Sequence, residues 1–99
     1  MRSRRSSHSK DLGSSLEHLA DELGIRQKLD EYEAVLRWES LVGEHIARAA
    51  SAVKIVKGVL LVRVRTSTWR NELSLRKSEI IRTLNTGLGR EIVKDIRFQ

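Results

Sequence analysis

The spacing of apolar residues along this chain changes twice from a helical period to strict alternation. Leu12, Leu16, Leu19 and Leu23 recur at i, i+4, i+7 and i+11. That stripe predicts an amphipathic helix starting at Asp11 or Ser14 and stopped by Gly24. A second helix is expected from about Lys28 to Ala50, with Leu29, Tyr32, Val35, Leu36, Trp38, Leu41, Val42 and Ile46 on one broad apolar face. Gly43 lies inside it, where glycine costs about 1 kcal/mol relative to alanine, so it marks either a close backbone approach or a break.

From Ser51 to Arg65 the period drops to two. Lys57-Gly58 separates two β-branched and aliphatic runs, and glycine supplies the positive φ that a tight two-residue hairpin turn requires. Counting outward from that turn pairs Val56 with Val59, Ile55 with Leu60, Val53 with Val62 and Ser51 with Val64. Alternation then places Ile55, Leu60, Val53, Val62 and Val64 on a buried face, and Lys54, Val56, Val59, Leu61, Arg63 and Arg65 on the other. A slip of one residue would bury charged side chains, so the turn and the hydrophobic pattern support the same register.

Helical spacing returns after Ser67 or Thr68, either of which can cap a helix carrying Trp69, Leu73, Ile80 and Leu84, with Ser74 as a point of division and Gly87 and Gly89 as its end. Residues 91–98 alternate again, with Ile92, Ile96 and Phe98 on one side and Val93, Asp95 and Arg97 on the other. Lys94 falls on the apolar side, a position suited to a sheet edge where its ammonium reaches water. The order helix, helix, strand, strand, helix or helix pair, strand predicts an α+β two-layer sandwich. A three-stranded sheet has helices on one face and leaves the other open.

Ninety-nine residues suffice for one modest core. We expect a disordered basic tail at 1–10 and a single domain at 11–99. The absence of cysteine excludes disulfides, thiolate zinc sites and thiol nucleophiles. No apolar run approaches the roughly 20 residues that span a bilayer, and a cytoplasmic location is expected. The net charge of +6 is unevenly distributed: residues 1–10 carry +4, residues 11–50 carry −5 and residues 51–99 carry +7. An acidic helical half and a basic sheet-containing half can address partners of opposite charge.

No catalytic constellation stands out, and neither a small-molecule substrate nor a cofactor or metal is expected. His18 with Glu22 at i+4 lacks a third ligand, and Ser67, Thr68 and Ser74 lack a base and its orienting partner. Trp38 and Trp69 continue aliphatic stripes, which assigns them to the core rather than to base stacking. Lys54, Arg63, Arg65 and Arg97 share the uncovered sheet face, and with Arg2, Arg4, Arg5 and Lys10 of the tail they are the candidate nucleic-acid contacts. Such binding would be electrostatic, salt-sensitive and largely independent of base sequence.

Three ordered blocks carry a resemblance: WESLVGEHIA at Trp38 to Ala47, KGVLLVRVRTSTWRNEL at Lys57 to Leu73, and IVKDIRF at Ile92 to Phe98. Together they resemble the DciA-like family over roughly residues 25 to 98. The resemblance implies a KH-like fold and, as in characterised members, an accessory or loader of the bacterial replicative helicase acting at single-stranded DNA. Related sequences are also labelled RNA-binding and zinc-ribbon-containing; the zinc part does not apply to a chain without cysteine. A nucleic-acid-binding KH domain clamps the backbone with a G-x-x-G loop, and none lies between Trp69 and Ile81. That absence counts against the alternative, a stand-alone KH-like RNA-binding module.

Overall fold

The computed structural model describes residues 24–99, so the expected basic tail and the helix expected before Gly24 lie outside the described residues. Within them the order is α1 (Ile25–Leu36), α2 (Trp38–Val42), α3 (Glu44–Ala49), β1 (Ala50–Val56), β2 (Val59–Val64), α4 (Ser67–Leu75), α5 (Lys77–Leu88) and β3 (Asp95–Phe98). The helices pack against a three-stranded sheet ordered β1-β2-β3, antiparallel between β1 and β2 and parallel between β2 and β3. This is the mixed architecture and the KH-like element order that the sequence predicts.

The single helix expected over 28–50 is three short ones. Arg37, at φ −95° and ψ 3°, interrupts the first pair. Gly43 breaks the second at φ 94° and ψ 160°, a backbone conformation open only to glycine. A Cβ at Gly43 would meet no atom within 4 Å, so conformation and not crowding demands glycine there. The bends let Trp38, Val35, Leu41, Val42 and Ile46 reach the core while Leu29, Tyr32 and Leu36 stay outward.

The hairpin turn is as expected: Lys57 and Gly58 both have positive φ, and Val56 pairs with Val59 and Ile55 with Leu60. Further out the register changes. A bulge leaves Val53 unpaired between Ala52 and Lys54, so Ala52 meets Val62 and Ala50 meets Val64, while Ser51 faces Arg63. The expected pairings of Val53 with Val62 and of Ser51 with Val64 are therefore incorrect. An extra residue in one strand inverts the alternation beyond it: Ala50 is buried and Val53 is exposed.

Thr66, and not Ser67 or Thr68, caps α4 by accepting a hydrogen bond from the Trp69 backbone N–H at 3.1 Å. The helix divides at Arg76 rather than at Ser74. Gly87 lies within α5 instead of ending it; a Cβ there would overlap Leu41 Cδ2, so close packing against α2 demands glycine at that position. Gly89, left-handed at φ 81°, is the stop. The last strand begins only at Asp95. Residues 91–94 form a connection held by Asn85, whose Oδ1 accepts from the Ile92 and Val93 N–H groups and whose Nδ2 donates to Val93 O. Val93 is therefore buried, against the alternation expected for a longer strand. The core joins Leu60, Val62, Leu73, Leu84 and Ile96, each nearly or fully buried, and places Trp38 beneath the β1 end of the sheet.

Candidate nucleic-acid interface

The bulge leaves the cation-bearing face intact because Lys54 lies on the turn side of it. Strand pairing sets Leu61 between Lys54 on β1 and Arg97 on β3, so these two cations flank the central strand on one row. Two strand spacings separate their backbones by about 10 Å. Arg63 stands one pleat further along β2, opposite Ser51. Arg65 lies just past the end of β2, where its N–H donates to Ala49 O at 2.9 Å. All four side chains are exposed, and none forms a hydrogen bond or an ion pair with another described residue. Arg2, Arg4, Arg5 and Lys10 lie outside the described residues.

Among the described residues, one acidic group stands on the strands of this face. Asp95 pairs with Val59 on β2, and its Oδ1 lies 3.1 Å from Lys77 Nζ. Its carboxyl is held below the ordinary aspartate value first by the hydrogen bond from Lys77, then by the Ile96 backbone N–H, with the Lys77 and Arg97 charges adding to both. Asp95 thus offsets part of the positive charge beside Arg97.

Two further cations stand near the turn end of the sheet, and sequence alternation did not select them. Lys57 is exposed in the turn itself, and the aliphatic stem of Lys94 lies across Gly58, 3.0 Å from where a Cβ would stand. The turn is clamped on both sides: Gly58 N–H donates to Glu31 Oε2 at 3.3 Å, and Gly58 O accepts from the Lys94 N–H at 2.8 Å. Lysine in a turn is a signal the sequence contained; the placement of Lys94 needed the three-dimensional path of residues 91–94.

The aromatic residues are not arranged for base stacking on this face. Trp38 is buried, with Nε1 donating to Ala50 O, and Trp69 packs on the core with its ring edge-on to His45, centroids 5.3 Å apart. The junction where a KH domain would carry its clamp is the single residue Arg76, between α4 and α5. Among the described residues there is no group of three or more His, Asp or Glu side chains placed to hold a metal. No helix among them is long and apolar enough to cross a membrane.

The family model described as Dna[CI] antecedent, DciA matches residues 11–98. The chain belongs to the DciA family. Among curated proteins, a UPF0232 protein of Rhodococcus jostii (strain RHA1) is 28% identical over 86 residues, covering 87% of this chain and 46% of the relative. One from Mycolicibacterium smegmatis is 26% identical over 87 residues, covering 88% and 45%. One from Mycobacterium tuberculosis (strain H37Rv) is 23% identical over 87 residues, covering 88% and 46%. The chain thus spans somewhat less than half the length of these relatives. The match agrees with the resemblance carried by the three sequence blocks.

Proposed function

We propose that this protein is a non-enzymatic accessory of bacterial DNA replication that binds the replicative helicase and assists its loading onto single-stranded DNA. The observation that carries the proposal is the family match across residues 11–98. The open sheet face supports a second, weaker activity. Lys54, Arg63, Arg65 and Arg97 have no carboxylate partner within ion-pair distance among the described residues, so they are available to phosphates, with Arg2, Arg4, Arg5 and Lys10 adding to them. Binding of this kind draws its free energy from counterion release and carries little sequence preference. The missing G-x-x-G clamp favours this mode over KH-type recognition of RNA.

A loading assay tests the proposal. Purified replicative helicase from the same bacterium is offered single-stranded DNA with and without this protein, and helicase occupancy is measured. Increased occupancy in its presence is expected. Unchanged occupancy, with tighter binding of structured RNA than of single-stranded DNA, would replace the proposal with the RNA-binding alternative.

A further inference from the structure

Helix α1 has apolar residues on two opposite sides. Ala34 is buried on one. On the other, Ile25, Leu29, Tyr32 and Leu36 follow one another at i, i+4, i+7 and i+11 and are exposed by 44%, 60%, 63% and 64%. Four large side chains on one narrow stripe form a continuous apolar surface of the kind that marks an interaction site. A groove between α1 and β1, lined in part by Tyr32, Val35, Val53 and Val56, continues that surface toward the sheet.

The residues before Gly24 repeat the pattern in mirror image. Leu23 and Ile25 each lie 1 residue from Gly24, Leu19 and Leu29 each 5, Leu16 and Tyr32 each 8, and Leu12 and Leu36 each 12. Two helices that reverse direction at Gly24 would bring all four pairs side by side, whereas a straight continuation would bring none together. Gly24 itself has φ 72° and ψ 11°, the left-handed conformation at which helices end and chains turn. Helical periodicity also puts Glu17 and Asp21 on the side away from the leucines, so closing the pair would take neither carboxylate out of water.

We propose that segment 11–23 docks antiparallel on the outer stripe of α1, Leu12, Leu16, Leu19 and Leu23 covering Leu36, Tyr32, Leu29 and Ile25. The occupant of this apolar surface is then the chain's own leucine segment rather than a second copy.

The chain contains no cysteine, so introduced pairs report without background. In the full chain, Leu16→Cys with Tyr32→Cys is compared with Leu16→Cys with Glu33→Cys, which closes a loop of nearly the same length from the neighbouring position on α1. Under mild oxidation the first pair should form an intramolecular disulfide at least about tenfold faster, because only docking fixes the geometry a disulfide requires. Leu19→Cys with Leu29→Cys, set against Leu19→Cys with Asp30→Cys, repeats the test at an independent position. Equal rates within each comparison would overturn the proposal, and so would disulfide-linked dimers as the main product, which would assign the stripe to a second copy.

Discussion

Trp38 donates its indole N–H to the carbonyl oxygen of Ala50 at 2.9 Å inside the core, fastening α2 to the first residue of β1 on the far side of the bulge. Trp38→Phe keeps most of the apolar volume and removes the donor. It should lower unfolding free energy by about 1–3 kcal/mol, the range for a buried polar group losing its partner. Urea unfolding with an unchanged m-value checks this.

Gly58 has φ 84°, and a Cβ there would stand 3.0 Å from Lys94 Cδ. Gly58→Ala should therefore destabilise by about 1 kcal/mol or more through backbone strain. Gly87→Ala has a different origin, overlap with Leu41 between α5 and α2, and should lose about 1–3 kcal/mol as overpacking does. Adding Leu41→Ala should recover part of the second loss and none of the first, which thermal unfolding of the double variants would show.

The sequence made legible what depends on local period and turn chemistry. The Lys57-Gly58 turn, the strand faces next to it and the α4 to α5 core stripe follow from alternation, from a glycine with positive φ and from helical spacing. The β1 bulge was not legible, because residues 49–52 are small side chains with little hydrophobic contrast, so nothing local marked where the alternation inverts. The early end of the last strand was hidden for another reason. Asn85, itself on α5, supplies the hydrogen bonds of residues 92 and 93, and a tertiary contact overrides an apolar pattern that reads as strand. Lys54, Arg63 and Arg97 stand on the sheet face because Lys54 lies on the turn side of the bulge and Arg97 lies within the part of the strand that forms, whereas Arg65 falls just past the end of β2.

The depressed carboxyl of Asp95 gives a pH dependence of definite sign. Its folded-state value lies below the unfolded one, so the stabilisation it confers is fully present above the unfolded value, near pH 3.9, and is lost as pH falls through the folded value. Asp95 and Lys77 are both about half exposed, so the effect should be small. Carboxyl titration by NMR should show Lys77→Met moving Asp95 back toward the ordinary aspartate value. An unmoved titration would mean that the hydrogen bond from Lys77 is not the main cause.

Charge removal separates the sheet face from the tail. Replacing Arg63, Arg65 and Arg97 together with Gln should weaken single-stranded DNA binding across all sequences. It should also flatten the salt dependence by roughly one unit of slope for every phosphate that is no longer neutralised. Fluorescence anisotropy at several salt concentrations measures both quantities. Binding that is untouched by the triple change and abolished by deleting residues 1–10 would assign DNA binding to Arg2, Arg4, Arg5 and Lys10 alone.

A helicase accessory must contact the helicase itself, with or without DNA. Titrating purified replicative helicase with this protein by calorimetry, in the absence of DNA and after nuclease treatment of both samples, measures that association without a nucleic-acid bridge. Saturable association is predicted, with a dissociation constant no weaker than tens of micromolar, a range in which even a transient partner gives about −6 kcal/mol. No detectable association across that range would contradict the helicase-accessory account.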